Sequence, residues 1–92
     1  MAETIDEITI NYEEDGQLLV KELDKEILTR GAWTTIVFHY QNWDKKNEEF
    51  GKNQFIIRRY QKVNGNYMPK TKFNISSEKQ AGQVIAALQK WI

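Results

Sequence analysis

The chain has no cysteine, one proline, one histidine and no net charge, thirteen Lys and Arg balancing thirteen Asp and Glu. Without cysteine there is no disulfide, no thiol nucleophile and no thiolate metal site. A zinc site would have to rest on His39 and carboxylates; no metal or other cofactor is expected. No stretch approaches the roughly 20 apolar residues of a membrane helix. Met1-Ala2-Glu3-Thr4 lacks the basic-then-apolar opening of a signal peptide, so an intracellular protein is expected. Gly16, Gly31, Gly51, Gly65 and Gly82 stand alone, which leaves no glycine-rich phosphate loop. His39 lies between Phe38 and Tyr40 and reads as a packed side chain rather than a catalytic one. With no nucleophile beside a base, the expectation is a non-enzyme.

What remains is the composition of one globular domain over residues 1–92, with 40% hydrophobic and 28% charged residues. The zero net charge hides an asymmetry. Residues 1–30 hold nine acids against three bases, a balance of −6, and residues 31–92 hold ten bases against four acids, a balance of +6. The chain therefore reads as an acidic N-terminal pair of strands or arm, followed by a basic sheet and helix. Such a division suits an anionic partner, and equally a dipolar domain whose halves neutralise each other.

The clearest element is the last. Ser77-Glu78-Lys79-Gln80 has the spacing of a capping box. Behind it Ala81, Val84, Ile85, Leu88 and Ile92 fall on one helical stripe, widened by Trp91. A chain closing on Trp-Ile needs a cover for those side chains, either its own sheet or a second copy of the helix. Val84, Ile85, Leu88, Trp91 and Ile92 are accordingly the expected homodimer interface.

Ahead of the helix, the β-branched and aromatic run Phe55–Val63, the turn pair Asn64-Gly65 and a return strand over 66–75 predict a hairpin. Pro69 cannot donate to a ladder, so the return strand belongs at an edge or carries a bulge. Residues 32–43 alternate as a long strand. Thr34, Ile36, Phe38 and Tyr40 lie on one face, and Trp33, Thr35, Val37, His39, Gln41 and Trp43 on the other. The polar connection 44–53 is a basic hairpin tip. Residues 4–12 read as a strand with Ile8 and Ile10 on one face, and Asp15-Gly16 as a turn. Residues 17–29 fit either a strand or a helix carrying Leu19, Leu23 and Ile27, with the flanking turns favouring the strand. The expected fold is α+β, an antiparallel sheet of four to five strands followed by one C-terminal helix.

Single-strand binders combine a basic groove with aromatic platforms, because every nucleotide offers a phosphate and every base a stackable face. Trp33, Trp43 and Tyr60, interleaved with Lys45, Lys46, Lys52, Arg58, Arg59, Lys70 and Lys72, are candidates for such a surface. The alternative is that Trp33 and Tyr60 are core and the cations a solvated face.

The run Phe55-Ile56-Ile57-Arg58-Arg59-Tyr60, then Asn64-Gly65, Pro69 and Lys72-Phe73-Asn74-Ile75-Ser76-Ser77-Glu78 before a terminal helix, resembles the positive-cofactor-four family of transcriptional coactivators. The resemblance covers about residues 54–92. It implies a four-stranded antiparallel sheet with a C-terminal helix, dimerisation largely through the helices, and single-stranded DNA bound across the sheets. By the same resemblance Arg58 matches a DNA-contacting arginine, Tyr60 its aromatic neighbour, and Lys70 and Lys72 a basic stretch after the proline. Gln61 replaces a frequent stacking tryptophan, a role open to Trp33 or Trp43. The resulting expectation is a homodimer that binds single-stranded DNA or RNA with little sequence preference, in transcription, replication or repair. The competing expectation is an interaction or structural homodimer of the same fold that binds no nucleic acid.

Overall fold

The computed structural model describes residues 2–92. Their order is a single 3-10 turn (Ile5–Glu7), then β1 (Tyr12–Glu14), β2 (Gln17–Thr29), β3 (Trp33–Asp44), β4 (Glu49–Phe50), β5 (Gln54–Val63), β6 (Asn66–Ile75) and α1 (Glu78–Gln89). The strands form one antiparallel sheet in the order β1-β2-β3-β5-β6, with the two-residue β4 folded back on the end of β3. Four long strands and a terminal helix make this the α+β fold that the periodicities predict. The whole is a slab of 40 × 39 × 17 Å. Among the described residues no helix is long and apolar enough to cross a membrane.

Local chemistry explains most of these elements. Asp15 and Gly16 adopt φ of 51° and 81°, and Asn64 and Gly65 adopt 52° and 83°. Positive φ at both central residues matches the turn to the right-handed twist of the strands it joins. The ambiguous segment 17–29 is a strand, paired along its length with β3. At the 44–49 tip, Asp44 Oδ1 accepts from the backbone N–H groups of Lys46 (2.9 Å) and Asn47 (3.3 Å), and Oδ2 accepts from Asn47 Nδ2 (2.8 Å). These bonds, those of Asn47 foremost, hold the Asp44 carboxyl below the ordinary aspartate range.

Pro69 lies on the edge strand and at a bulge together. Tyr60 pairs with Pro69 but Arg59 pairs with Thr71, leaving Lys70 as the extra residue. The capping box forms with one change. Ser77 Oγ accepts from Gln80 N at 3.1 Å, but Gln80 Oε1 returns to the backbone N–H of Ser76 at 2.9 Å, one residue earlier than the usual partner.

The core lies on one face of the slab, where Thr34, Ile36, Phe38, Tyr40, Ile56, Tyr60 and Tyr67 are buried. Its cover is the N-terminal segment. Residues 4–12 are not the strand the alternation predicts, since only Tyr12 joins a ladder. They form an arm laid over the sheet, and Ile8 and Ile10 point into the core as the alternation requires.

Side chains of β2 take the place of a ladder in holding the arm. Lys25 Nζ donates to the carbonyls of Ile5 (3.3 Å), Asp6 (3.1 Å) and Ile8 (2.8 Å). A carboxylate oxygen of Glu22 accepts from Thr9 Oγ1 (2.8 Å) and Ile10 N (3.1 Å), while Glu22 N donates to Asn11 Oδ1 (2.7 Å). At the far edge Tyr67 N donates to Ala2 O at 2.8 Å. Backbone polar groups beside a core need partners, and charged side chains supply strong ones.

Among the described residues the opposite face has no such layer. His39 stacks on Phe55 with ring centroids 5.3 Å apart, so it packs as its position predicts. Trp33, Val63 and Phe73 stand exposed. Helix α1 runs off β6 with no buried residue, and Trp91 and Ile92 are 78% and 98% exposed. Of the two covers the sequence allowed for these terminal side chains, the domain's own sheet is not the one used.

Candidate nucleic-acid interface

The bulge at Lys70 sets the geometry of the basic surface. In an unbulged hairpin Arg59 would oppose Lys70 and Ile57 would oppose Lys72. The extra residue instead sets Arg58 opposite Lys72, on the core side of the sheet, and Ile57 opposite Phe73 on the other side. Two cations directly across a ladder repel each other. Arg58 also opposes Ile36 of β3 on its other flank, which holds its stem among apolar neighbours. Its Nε is buried with no hydrogen-bond partner.

Three depressions meet at Arg58, between the arm and edge strand β6. One of about 450 Å³ is lined by Glu7, Thr9, Tyr60, Tyr67 and Pro69 beside Arg58. A second, about 330 Å³, is bounded by Arg58, Pro69, Lys70, Thr71 and Lys72. The third, about 450 Å³, leaves β6 at Lys72 and Asn74 and crosses the core face over Ile56, Tyr40 and Val20 to Asn11 and Tyr12 at the opposite edge of the sheet. Together they follow β6 for roughly 20 Å at about 3.3 Å per strand residue. Tyr12 is an exposed aromatic ring at the β1 side of the third depression.

The expected site residues do not form one surface. Arg58, Lys70 and Lys72 come together at the groove. Trp33 and Arg59 lie on the opposite face, where the guanidinium sits 4.7 Å from the ring centroid in a cation–π contact. Trp43 is at the far end of β3, partly buried against Phe50 in an edge-on pair at 5.1 Å. Lys45 and Lys46 occupy the adjoining tip, and Lys45 shares a depression with Glu14 and Asp15, whose charges oppose its own. Lys52 is exposed just past that tip. Val84 and Ala87 are half-buried on α1, while Ile85, Leu88, Trp91 and Ile92 are exposed.

Tyr12, Asn11 and Asn74 are groove residues that sequence reasoning missed. Asn74 was within its reach, because a one-residue bulge at Pro69 puts 72 and 74 on the same side as Arg58. Tyr12 and Asn11 were not, since nothing local says where the arm crosses.

Tyr60 is 4% exposed and its hydroxyl is buried without a partner. Burial pushes its pKa up, against a smaller opposing effect of the nearby Arg58 guanidinium.

No family model, curated protein or solved structure matches the chain.

Proposed function

We propose that the protein binds single-stranded nucleic acid, with little sequence preference, along the groove between the N-terminal arm and β6. The observation that carries this reading is the directly opposed pair Arg58 and Lys72, with the bulged Lys70 beside them and Arg58 Nε unpartnered. Phosphates relieve the repulsion among these cations, and Tyr12 offers a ring for a base to stack on. The bases need present no particular edge, because charge and stacking are common to every nucleotide.

The working unit in this reading is a homodimer. The bare side of the sheet exposes Trp33, Val63 and Phe73, and the stripe of α1 exposes Ile85, Leu88, Trp91 and Ile92, apolar groups of the kind that mark interfaces when they lie together. A two-fold pairing through them would leave both grooves open on the outside and raise the effective concentration of the second groove for a bound strand. The same bare surface favours the second reading, an interaction module of this fold with no nucleic-acid role.

Titration with oligo-dT at two salt concentrations separates the two. Binding that weakens as salt rises supports the groove. Lys70→Ala with Lys72→Ala is then expected to flatten the log-log slope by about 1.4, at roughly 0.7 per phosphate lost. Absence of binding to oligo-dT and to oligo-U at low salt leaves the interaction module.

A further inference from the structure

The groove is not the same at its two ends. At the Tyr12 end it opens out across the sheet towards β1. At the other end the arm joins β6 through the Tyr67 N to Ala2 O bond, so a strand lying in the groove meets backbone there. In that closed end lie two buried donors with no acceptor, Arg58 Nε and the Tyr60 hydroxyl, beside a cavity of about 450 Å³. A buried donor without a partner is costly, and more so when it is charged. Tyr60 is held there by the core, since its ring belongs to the apolar cluster with Ile8 and Tyr67, and the residue lines the cavity beside Arg58.

We propose that this closed end is a subsite for the terminal phosphate of the bound strand, held by Arg58 and the Tyr60 hydroxyl. This rests on the nucleic-acid reading and adds polarity to it, in that the strand enters with one end rather than threading through. A terminal phosphate fits the donors better than an internal one. It has three free oxygens and a second negative charge, and only one bridging bond to lead back along the groove. Two acids bear on this end: Glu22 beneath the arm, whose negative charge acts on Tyr60, and, on the cavity wall, Glu7, which is exposed and accepts a 2.9 Å hydrogen bond from Thr4 Oγ1. Glu7 stands at the mouth and disfavours the incoming anion, so it limits the affinity of the subsite.

The test compares four oligo-dT probes of equal length, carrying a 5′-phosphate, a 3′-phosphate, both, or hydroxyls only, by competition at fixed ionic strength. One phosphorylated end is expected to bind about tenfold tighter than the hydroxyl-ended probe, the effect of a good hydrogen bond to a charged group. Tyr60→Phe should reduce that ratio towards one, and Glu7→Gln, a surface change that leaves the core intact, should widen it. Equal affinity of all four probes for the wild type overturns the subsite and leaves groove binding in place. So does a preference that neither variant alters. Failure of every probe to bind overturns both the subsite and the nucleic-acid reading.

Discussion

On one side of the sheet Ile36, Phe38, Ile56 and Tyr60 are shut away beneath Ile8 and Ile10; on the other side Trp33, Val63 and Phe73 stand in the open. The strands are common to both sides, so the difference comes from the segments at the two ends of the chain. The arm lies down because its apolar residues alternate and because Lys25 and Glu22 satisfy its backbone in place of a ladder. The helix does not lie down, although its stripe is the more apolar of the two. A short loop, Ser76 and Ser77, starts it straight off the edge strand, and its cap satisfies its first turn without any help from the sheet. Hydrophobicity alone therefore does not select the covering layer. The segment that covers is the one whose polar backbone also finds partners there.

The sharpest way to break this comparison is to cut matching apolar residues on the two sides. Ile8→Ala should lower unfolding free energy by about 2–5 kcal/mol, as expected for emptying a packed core position. Phe73→Ala in the monomer should stay within about 0.5 kcal/mol, as for a surface site. Urea titrations of both would show it, and equal losses would mean that the two sides are equally covered. Next in size is the arm's fastening. Lys25→Met keeps the aliphatic stem and removes the donor to three carbonyls, with an expected cost of about 1–3 kcal/mol. Hydrogen exchange should rise first at residues 2–11, ahead of β3 and β5.

The exposed stripe of α1 sharpens the comparison from the other side. If the bare surface is a dimer interface, Leu88→Asp should convert the dimer to monomer in light scattering and weaken oligonucleotide binding together, since a buried unpaired charge is strongly unfavourable. Wild-type protein that is monomeric at tens of micromolar, on the order of ordinary working concentrations, removes the dimer and leaves the surface bare in solution.

The smallest effect is a titration. Burial raises the Tyr60 pKa above the ordinary tyrosine value of 10.0. In the alkaline range the unfolded chain then binds fewer protons than the folded one, so stability is full below that value and falls as pH rises through the raised pKa. Alkaline urea titrations should show the decline, and Tyr60→Phe should remove it. A variant that keeps the full decline would assign it to another group.

Most of the secondary structure could be read directly from local chemistry. Asp15-Gly16 and Asn64-Gly65 admit few conformations besides a tight hairpin turn, residues 32–43 alternate too regularly for a helix, and Phe55–Val63 is β-branched and aromatic just ahead of a turn. Ser77 with Gln80 marks a helix start because orphan N–H groups need an oxygen at that spacing. Pro69 likewise announced an edge or a bulge, since it has no proton to give a ladder, and the strand has both. What these signals could not carry was any interaction between segments distant along the chain. Residues 4–12 alternate like a strand, and only the presence of Lys25 and Glu22 beneath them turns that alternation into an arm.

The cations and indoles look like one set in the sequence because they are interleaved there. The pleat then sends Arg58 to one side and Arg59 to the other, and twelve residues of β3 hold Trp33 and Trp43 at opposite ends. The groove exists only where the arm passes over β6, and its floor depends on a single extra residue in one strand. Turn chemistry and periodicity act over a few residues, so the sequence by itself determined the elements, their turns and their edges. Which face is covered, which cations meet and where the chain's apolar end is left standing depend on contacts between distant segments, and only the tertiary structure decided them.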